Sequence, residues 1–259
     1  MGNVIIKWVI LTVVLLGTWL WVQMPDGKLR LVFCDVGQGD GALVIRGYFQ
    51  ALIDTGQDEA KILKCLSDFV PFWDRRLEAV FVSHRNRDHN GALEKIKKVY
   101  EVEREVINSQ NGDILRYGDL WFEILYGGGG GGVGEKKGCE NENDCSQVVR
   151  VTLGNFSGLF TGDMGISEEL ALIAEGVIKK TDVLKVAHHG SKYSSSMEFL
   201  QAVSPELAVI SVGRKNSYGH PTEDTLMRLD AVGVKIMRTD ILGTIEVVTD
   251  GEKIWTVKK

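Results

Sequence analysis

Ser83-His84-Arg85-Asn86-Arg87-Asp88-His89 follows directly on the apolar run LEAVFV (77–82) and precedes NGALEKIKKVY (90–100). The β-branched and aromatic residues of 77–82 predict a buried strand, and the spacing of 90–100 predicts a helix. Two histidines and an aspartate therefore sit at the end of a strand. Asp88 and His89 are adjacent, so a tight turn aims both at one ion, while His84, four residues earlier, reaches a neighbouring one. Neutral imidazole and carboxylate are donors that suit Zn²⁺, Mn²⁺ or Fe²⁺.

The same arrangement recurs outward from this segment. The strand QALID ends in Asp54 before Thr55-Gly56, residues 159–161 lead into Gly162-Asp163, and DVLKVA leads into His188-His189. LAVIS lies shortly before Tyr218-Gly219-His220-Pro221. All five histidines of the chain thus fall beyond apolar strands. If those strands share direction, their ends meet along one edge, where α/β proteins gather their sites. A carboxylate such as Asp163 is able to bridge two ions roughly 3.5–4 Å apart.

Around these segments the pattern is mixed. LRLVFCDV, GALVIR and QALID predict an opening antiparallel meander, and residues 58–69 predict a helix. Strand-like pieces return near 101–107 and 119–126, and VVRVTLG-NFSG-LFTGD predicts a hairpin. Helices (ISEELALIAEG, SMEFLQAV, TEDTLMRLDAVG) then alternate with strands (DVLKVA, LAVISVG), and KIMRT, GTIEVVT and KIWTV close the chain. The expected class is α+β, with two sheets packed face to face and helices outside, in one domain spanning 25–259. Residues 127–145, with six consecutive glycines at 127–132, read as a long loop within that domain. Gly37-Gln38-Gly39-Asp40-Gly41 lies between strands and lacks a P-loop ending, so it reads as a tight turn that lets backbone approach the site.

Residues 4–22, VIIKWVILTVVLLGTWLWV, carry one charge, Lys7. A spanning helix needs roughly 20 residues. Residues 1–24 are expected to be an uncleaved membrane anchor, with a cleaved signal peptide as the alternative, although no A-x-A-like site follows. Either way the remainder is expected outside the cytoplasm. Export permits disulfides. Cys139 and Cys145 are placed to close one, while Cys34 and Cys65, in apolar surroundings, read as buried thiols. No C-x-x-C pair is present to build a zinc knuckle.

The 259 residues are 44% hydrophobic and carry a net charge of −5, which describes a globular chain and excludes a uniformly basic nucleic-acid coat. Locally the balance reverses. Arg85, Arg87, Lys192, Arg214 and Lys215 all flank motif histidines, as a phosphate backbone would require.

These motifs resemble the metallo-β-lactamase superfamily. Within it, Asp35-Val36-Gly37-Gln38-Gly39-Asp40, Ala187-His188-His189-Gly190-Ser191, Ser211-Val212-Gly213-Arg214, Tyr218-Gly219-His220-Pro221 and Arg238-Thr239-Asp240 resemble the hydrolase domain of ComEC/Rec2 competence proteins. The resemblance, from about Leu29 to Val257, implies a four-layer αβ/βα sandwich with one or two divalent ions, zinc or manganese, between the sheets. It implies His84, Asp88, His89, Asp163 and His188 as ligands and Asp54 as the carboxylate that orients one of them. His188 is preferred over His189 because it follows the strand directly. His189 and His220 are then left to donate a proton or contact substrate, and Asp88 to orient water. Two departures stand out. Asn86 replaces the superfamily's His or Asp, and the third-motif His is absent, with Asn143-Asp144-Cys145-Ser146 in its place.

The function implied is that of an exported metal-dependent hydrolase, a phosphodiesterase or nuclease acting on DNA and related to competence and DNA uptake. Hydrolysis of a small or cell-wall phosphodiester, or a decayed domain that binds DNA or a partner, are the alternatives. With at most one span in these residues, an uptake role implies a separate DNA channel.

Overall fold

The computed structural model describes residues 2–22, 26–127, 143 and 146–257. The N-terminal segment forms helix α1 (Gly2–Val22). Side chains are described for its residues 5–18, where they are exposed. Among the described residues no helix is long and apolar enough to cross a membrane.

Beyond it, β1 (Leu29–Phe33), β2 (Ala42–Arg46) and β3 (Phe49–Ile53) form the expected antiparallel meander. Helix α2 (Glu59–Phe69) follows, capped by the Asp58 carboxylate, which accepts from the backbone of Ala60 and Lys61. Next come β4 (Arg76–Leu77), β5 (Ala79–Phe81), the single turns α3 (Arg87–Asn90) and α4 (Leu93–Ile96), β6 (Glu101–Val102) and β7 (Glu105–Val106). The second half runs β8 (Ile114–Tyr117), β9 (Leu120–Tyr126), β10 (Val148–Leu153), β11 (Phe156–Phe160), α5 (Ile166–Ala174) and β12 (Val183–Lys185). It ends with α6 (Met197–Val203), β13 (Leu207–Ile210), α7 (Glu223–Ala231), β14 (Lys235–Arg238), α8 (Thr239–Leu242), β15 (Ile245–Thr249) and β16 (Ile254–Val257).

Among the described residues the strands make two seven-stranded sheets, ordered β16-β15-β1-β2-β3-β5-β7 and β14-β13-β12-β11-β10-β9-β8, with β4 and β6 paired apart. Alternation along each strand decides the layers. Leu29, Leu31 and Phe33 of β1 meet Phe156 and Phe160 of β11 and Leu207 and Val209 of β13 in a core between the sheets. The alternate residues point outward: Val32, Leu43 and Leu52 pack under Ile62 and Leu66 of α2, and Leu159, Leu184 and Ile210 under Leu172, Phe199 and Leu229 of α5, α6 and α7. The order is helix, sheet, sheet, helix.

Strand direction positions the site. β3 and β5 pair in parallel, as do β11, β12, β13 and β14. Antiparallel pairing of β1 with β2 and of β2 with β3 gives β1 the direction of β3. The segments after β1, β3 and β5 therefore meet those after β11, β12 and β13.

Local readings needed correction in four places. LEAVFV is not one strand: the Glu78 carboxylate accepts the Gln50 N–H at 2.7 Å and the Glu78 N–H donates to the Gln50 carbonyl, which divides it into β4 and β5. The helix expected over 90–100 reduces to α4, which buries Leu93 and Ile96. β8 was not anticipated, because its ILRY is largely exposed and does not alternate. Cys34 and Cys65 are not free thiols but a disulfide joining the end of β1 to α2. Cys139 and Cys145, and with them their expected pairing, lie outside the described residues, as do Asp144 and the glycine run beyond Gly127.

Candidate metal centre

Asp163, carried past β11 by Thr161-Gly162, is buried at the meeting of the two sheets. Four histidines surround its carboxylate. Oδ1 faces His89 Nε2 at 3.2 Å and His189 Nε2 at 3.7 Å, while Oδ2 faces His84 Nε2 and His188 Nε2, each at 3.9 Å. Asp88 closes one side, with Oδ2 at 3.3 Å from His189 Nε2. Donor atoms of Asp88, His89, Asp163 and His189 all lie within 4.8 Å of one another.

The inner rings are aimed from behind. His89 Nδ1 lies 2.9 Å from Asp54 Oδ2, and Asp54 is itself fixed by the Ser83 N–H (2.7 Å) and hydroxyl (2.8 Å). His189 Nδ1 lies 2.9 Å from the Ser211 carbonyl. His84 Nδ1 lies 3.0 Å from the Ser83 hydroxyl and 3.3 Å from that of Ser146, and Ser146 Oγ also accepts the Asp163 N–H. With Nδ1 of each ring occupied, Nε2 faces the centre. His84 Nε2, His89 Nε2, His189 Nε2 and Asp163 Oδ1 are buried and have no hydrogen-bond partner among the described residues. Buried polar atoms are rarely left so. A divalent cation among Asp88, His89, Asp163 and His189 would satisfy His89 Nε2, His189 Nε2 and Asp163 Oδ1 together, and the imidazole–carboxylate set suits one.

Backbone geometry holds the arrangement. Asp54, His188 and His189 all adopt positive φ, at 58°, 50° and 53°. Non-glycine residues take this left-handed conformation only where surrounding structure enforces it. The α3 turn is tied down by hydrogen bonds from Asp40 N to the Asp88 carbonyl and from Thr55 N to the His89 carbonyl. Gly39, at φ 127°, lies so close that a Cβ would collide with that Asp88 carbonyl, which explains the glycine in this turn.

Charge is balanced internally. Burial disfavours charge on His89, but Asp163, Asp54 and Asp40 outweigh it and raise its pKa well above the usual histidine value. His189 is likewise raised, to about 9, against burial by Asp163 and Asp40. Burial would raise Asp163, yet His89, His189 and Lys185 hold it well below the usual carboxylate range. Asp88 is lowered despite its burial, by the bond to His189 and the charge of His89. His84 is pushed down to about 4 by burial and by the neighbouring His89, and burial also lowers His188 and His220.

The structure thus brings together Asp54, His84, Asp88, His89, Asp163, His188 and His189. The tightest group includes His189 where the sequence reading preferred His188, because the left-handed turn at 187–190 buries the second histidine and leaves the first partly exposed. His220 stands outside, its ring centroid 5.7 Å from that of His188. The half-buried Asn86 donates its amide to Asn143 Oδ1 at 2.7 Å. Two buried charges were not anticipated. Asp40 approaches His189 Nδ1 at 3.3 Å and His89 Nδ1 at 3.5 Å, and forms an ion pair with Lys185. Alternation in β12 held the signal for the second, since Lys185 shares the inward face of Val183.

A family model described as the metallo-beta-lactamase superfamily matches residues 35–214. The chain is similar to the competence protein ComA of Neisseria gonorrhoeae, with 32% identity over 236 residues, 86% of this chain and 33% of that protein. It is similar to ComE operon protein 3 of Bacillus subtilis (strain 168), with 31% identity over 265 residues, 85% of this chain and 33% of that protein. The chain spans about a third of the length of both relatives. The solved metallo-beta-lactamase fold protein YhfI from Bacillus subtilis superposes with a TM-score of 0.57 at 13% identity, over 89% of this chain and 100% of that one, a likeness of fold.

Proposed function

The chain belongs to the metallo-β-lactamase superfamily, and from that premise we propose that it is a metal-dependent hydrolase of phosphodiesters, with DNA as the leading substrate. The observation that carries this reading is the group of donor atoms of Asp88, His89, Asp163 and His189 within 4.8 Å of one another, in which His89 Nε2, His189 Nε2 and Asp163 Oδ1 are buried without a hydrogen-bond partner among the described residues. His89, His189, Asp163 and Asp88 would hold the ion, zinc or manganese, with His84 and His188 across Asp163 from it. Bound there, a divalent ion supplies Lewis acidity and a more acidic water.

The chain's own residues supply the rest. Asp54 fixes the His89 ring, and Asp88, the most accessible carboxylate of the group, orients water. His189 Nδ1 lies at the Ser211 carbonyl and its Nε2 is one of the donors that would hold the ion, so the proton for the leaving oxygen falls to His220, whose Nδ1 has no partner among the described residues. Arg85, Arg87, Lys192, Arg214 and Lys215 are all exposed, as a polyanionic substrate needs. The likeness to competence proteins supports a role in DNA uptake.

We read residues 25–259 as one domain held outside the cytoplasm by residues 4–22. The Cys34–Cys65 disulfide supports that placement, because such bonds persist in oxidising compartments. One observation favours a second reading. Asn86 spends its amide on Asn143, which suits a single ion or a domain that binds DNA without turnover.

The test is cleavage of single-stranded DNA and of bis(p-nitrophenyl) phosphate by the full-length chain in detergent, with added Mn²⁺ or Zn²⁺. Metal-dependent turnover that is lost in Asp163→Asn supports the hydrolase. Salt-sensitive DNA binding with no turnover of either substrate supports the binding domain instead.

A further inference from the structure

We propose that Tyr218 is a stacking platform for one unpaired base of a single-stranded nucleic acid, an inference that rests on the phosphodiester reading above. The Tyr218 side chain belongs to none of the three cores and is 69% exposed. Its ring stacks on His220, with centroids 5.9 Å apart and planes inclined by 24°. His220 meets His188 edge-on at 5.7 Å, and His188 meets His189 at 6.3 Å. A continuous run of rings therefore leads from solvent to the carboxylate–imidazole cluster.

The loop that presents Tyr218 is held in place. The Asn216 side chain accepts the N–H groups of Tyr218 (3.2 Å) and His220 (3.0 Å) and donates to the carbonyls of Gly213 (3.0 Å) and His220 (2.8 Å). A platform fixed in this way loses little freedom when a ligand arrives. Arg214 and Lys215 stand exposed in the same loop, and Lys192 is exposed just beyond the histidine pair. Cations beside an open aromatic face select a polyanion that carries rings. In a duplex every base is already paired and stacked, so a strand with unpaired bases is the form that meets Tyr218.

The test measures binding by the full-length chain in detergent, with chelator present to prevent turnover. Fluorescence anisotropy follows a labelled thymidine oligonucleotide of about ten residues, an abasic strand of the same length, and a duplex. Tyr218→Ala is expected to weaken thymidine-strand binding on the order of tenfold, Tyr218→Phe to restore it, and neither to change abasic-strand binding. Unchanged thymidine-strand binding in Tyr218→Ala, or an equal loss on the abasic strand, would overturn the inference. Equal thermal melts establish that the variants are folded. Turnover of bis(p-nitrophenyl) phosphate by the metal-loaded wild type bears on the hydrolase alone. Turnover with base-indifferent binding removes the platform and leaves the hydrolase, and base-dependent binding without turnover does the reverse.

Discussion

Asp40, from the turn after β1, and Lys185, at the end of β12, form a buried ion pair that ties one sheet to the other behind the histidine cluster. The Lys185 ammonium also donates to the Gly162 carbonyl at 3.1 Å, next to Asp163. The ammonium thus stands between Asp40 and the Gly162-Asp163 turn.

Removing one partner of this pair strands the other. Lys185→Met is expected to destabilise the protein by up to roughly 3–5 kcal/mol, because buried Asp40 loses its ammonium partner and keeps only the His89 and His189 rings against it. Asp40→Leu combined with Lys185→Met should recover much of that loss. Urea unfolding of both variants checks the order. Equal stability of Lys185→Met and wild type would contradict it.

Asp54→Asn leaves the shape of the site and removes the carboxylate behind His89. Losing such an outer partner weakens metal binding by about 10–100-fold. Competition with a chromophoric chelator measures the loss, and a thermal melt close to that of wild type separates it from unfolding.

The metal-free chain should be most stable near neutrality. His84, lowered to about 4, must gain a proton on unfolding as pH falls below its ordinary value. Its contribution is present above about pH 6.5 and lost on acidification toward pH 4, on the order of 3 kcal/mol. His189, raised to about 9, acts in the opposite sense: its contribution is present below about pH 6.5 and lost as pH rises through 9. Denaturant unfolding of chelator-treated protein across this range should trace both limbs. His189→Asn should reduce the alkaline limb and leave the part that His89, also raised, contributes. A divalent ion should flatten the limb, since His89 and His189 give up protons on binding it.

The disulfide closes a separation of 31 residues between β1 and α2. Its removal in Cys34→Ser/Cys65→Ser is expected to cost about 2–5 kcal/mol. Thiol labelling of the denatured, unreduced chain should modify neither cysteine. Labelling of both at full stoichiometry would refute the pairing.

Much of the site was legible because its residues follow strands that announce themselves. Asp54, His84, His89, Asp163 and the 188–189 pair each stand just beyond an apolar run, and the motifs around them correctly indicated the family. What escaped was tertiary. Cys34 and Cys65 read as thiols because their pairing depends on α2 lying across the end of β1. Asp40 looked like a turn residue, since only the stitch from its N–H to Asp88 carries it under the histidines. The placement of the pair, with His188 partly exposed and His189 buried, follows a left-handed backbone that strand-based reasoning does not predict.

The most direct measurement is elemental analysis of the full-length chain purified without added metal, beside His89→Ala. About one or more equivalents of a divalent transition metal per wild-type chain, lost in the variant, is the predicted result. A cooperatively folded wild type that neither carries nor takes up zinc or manganese would contradict the account.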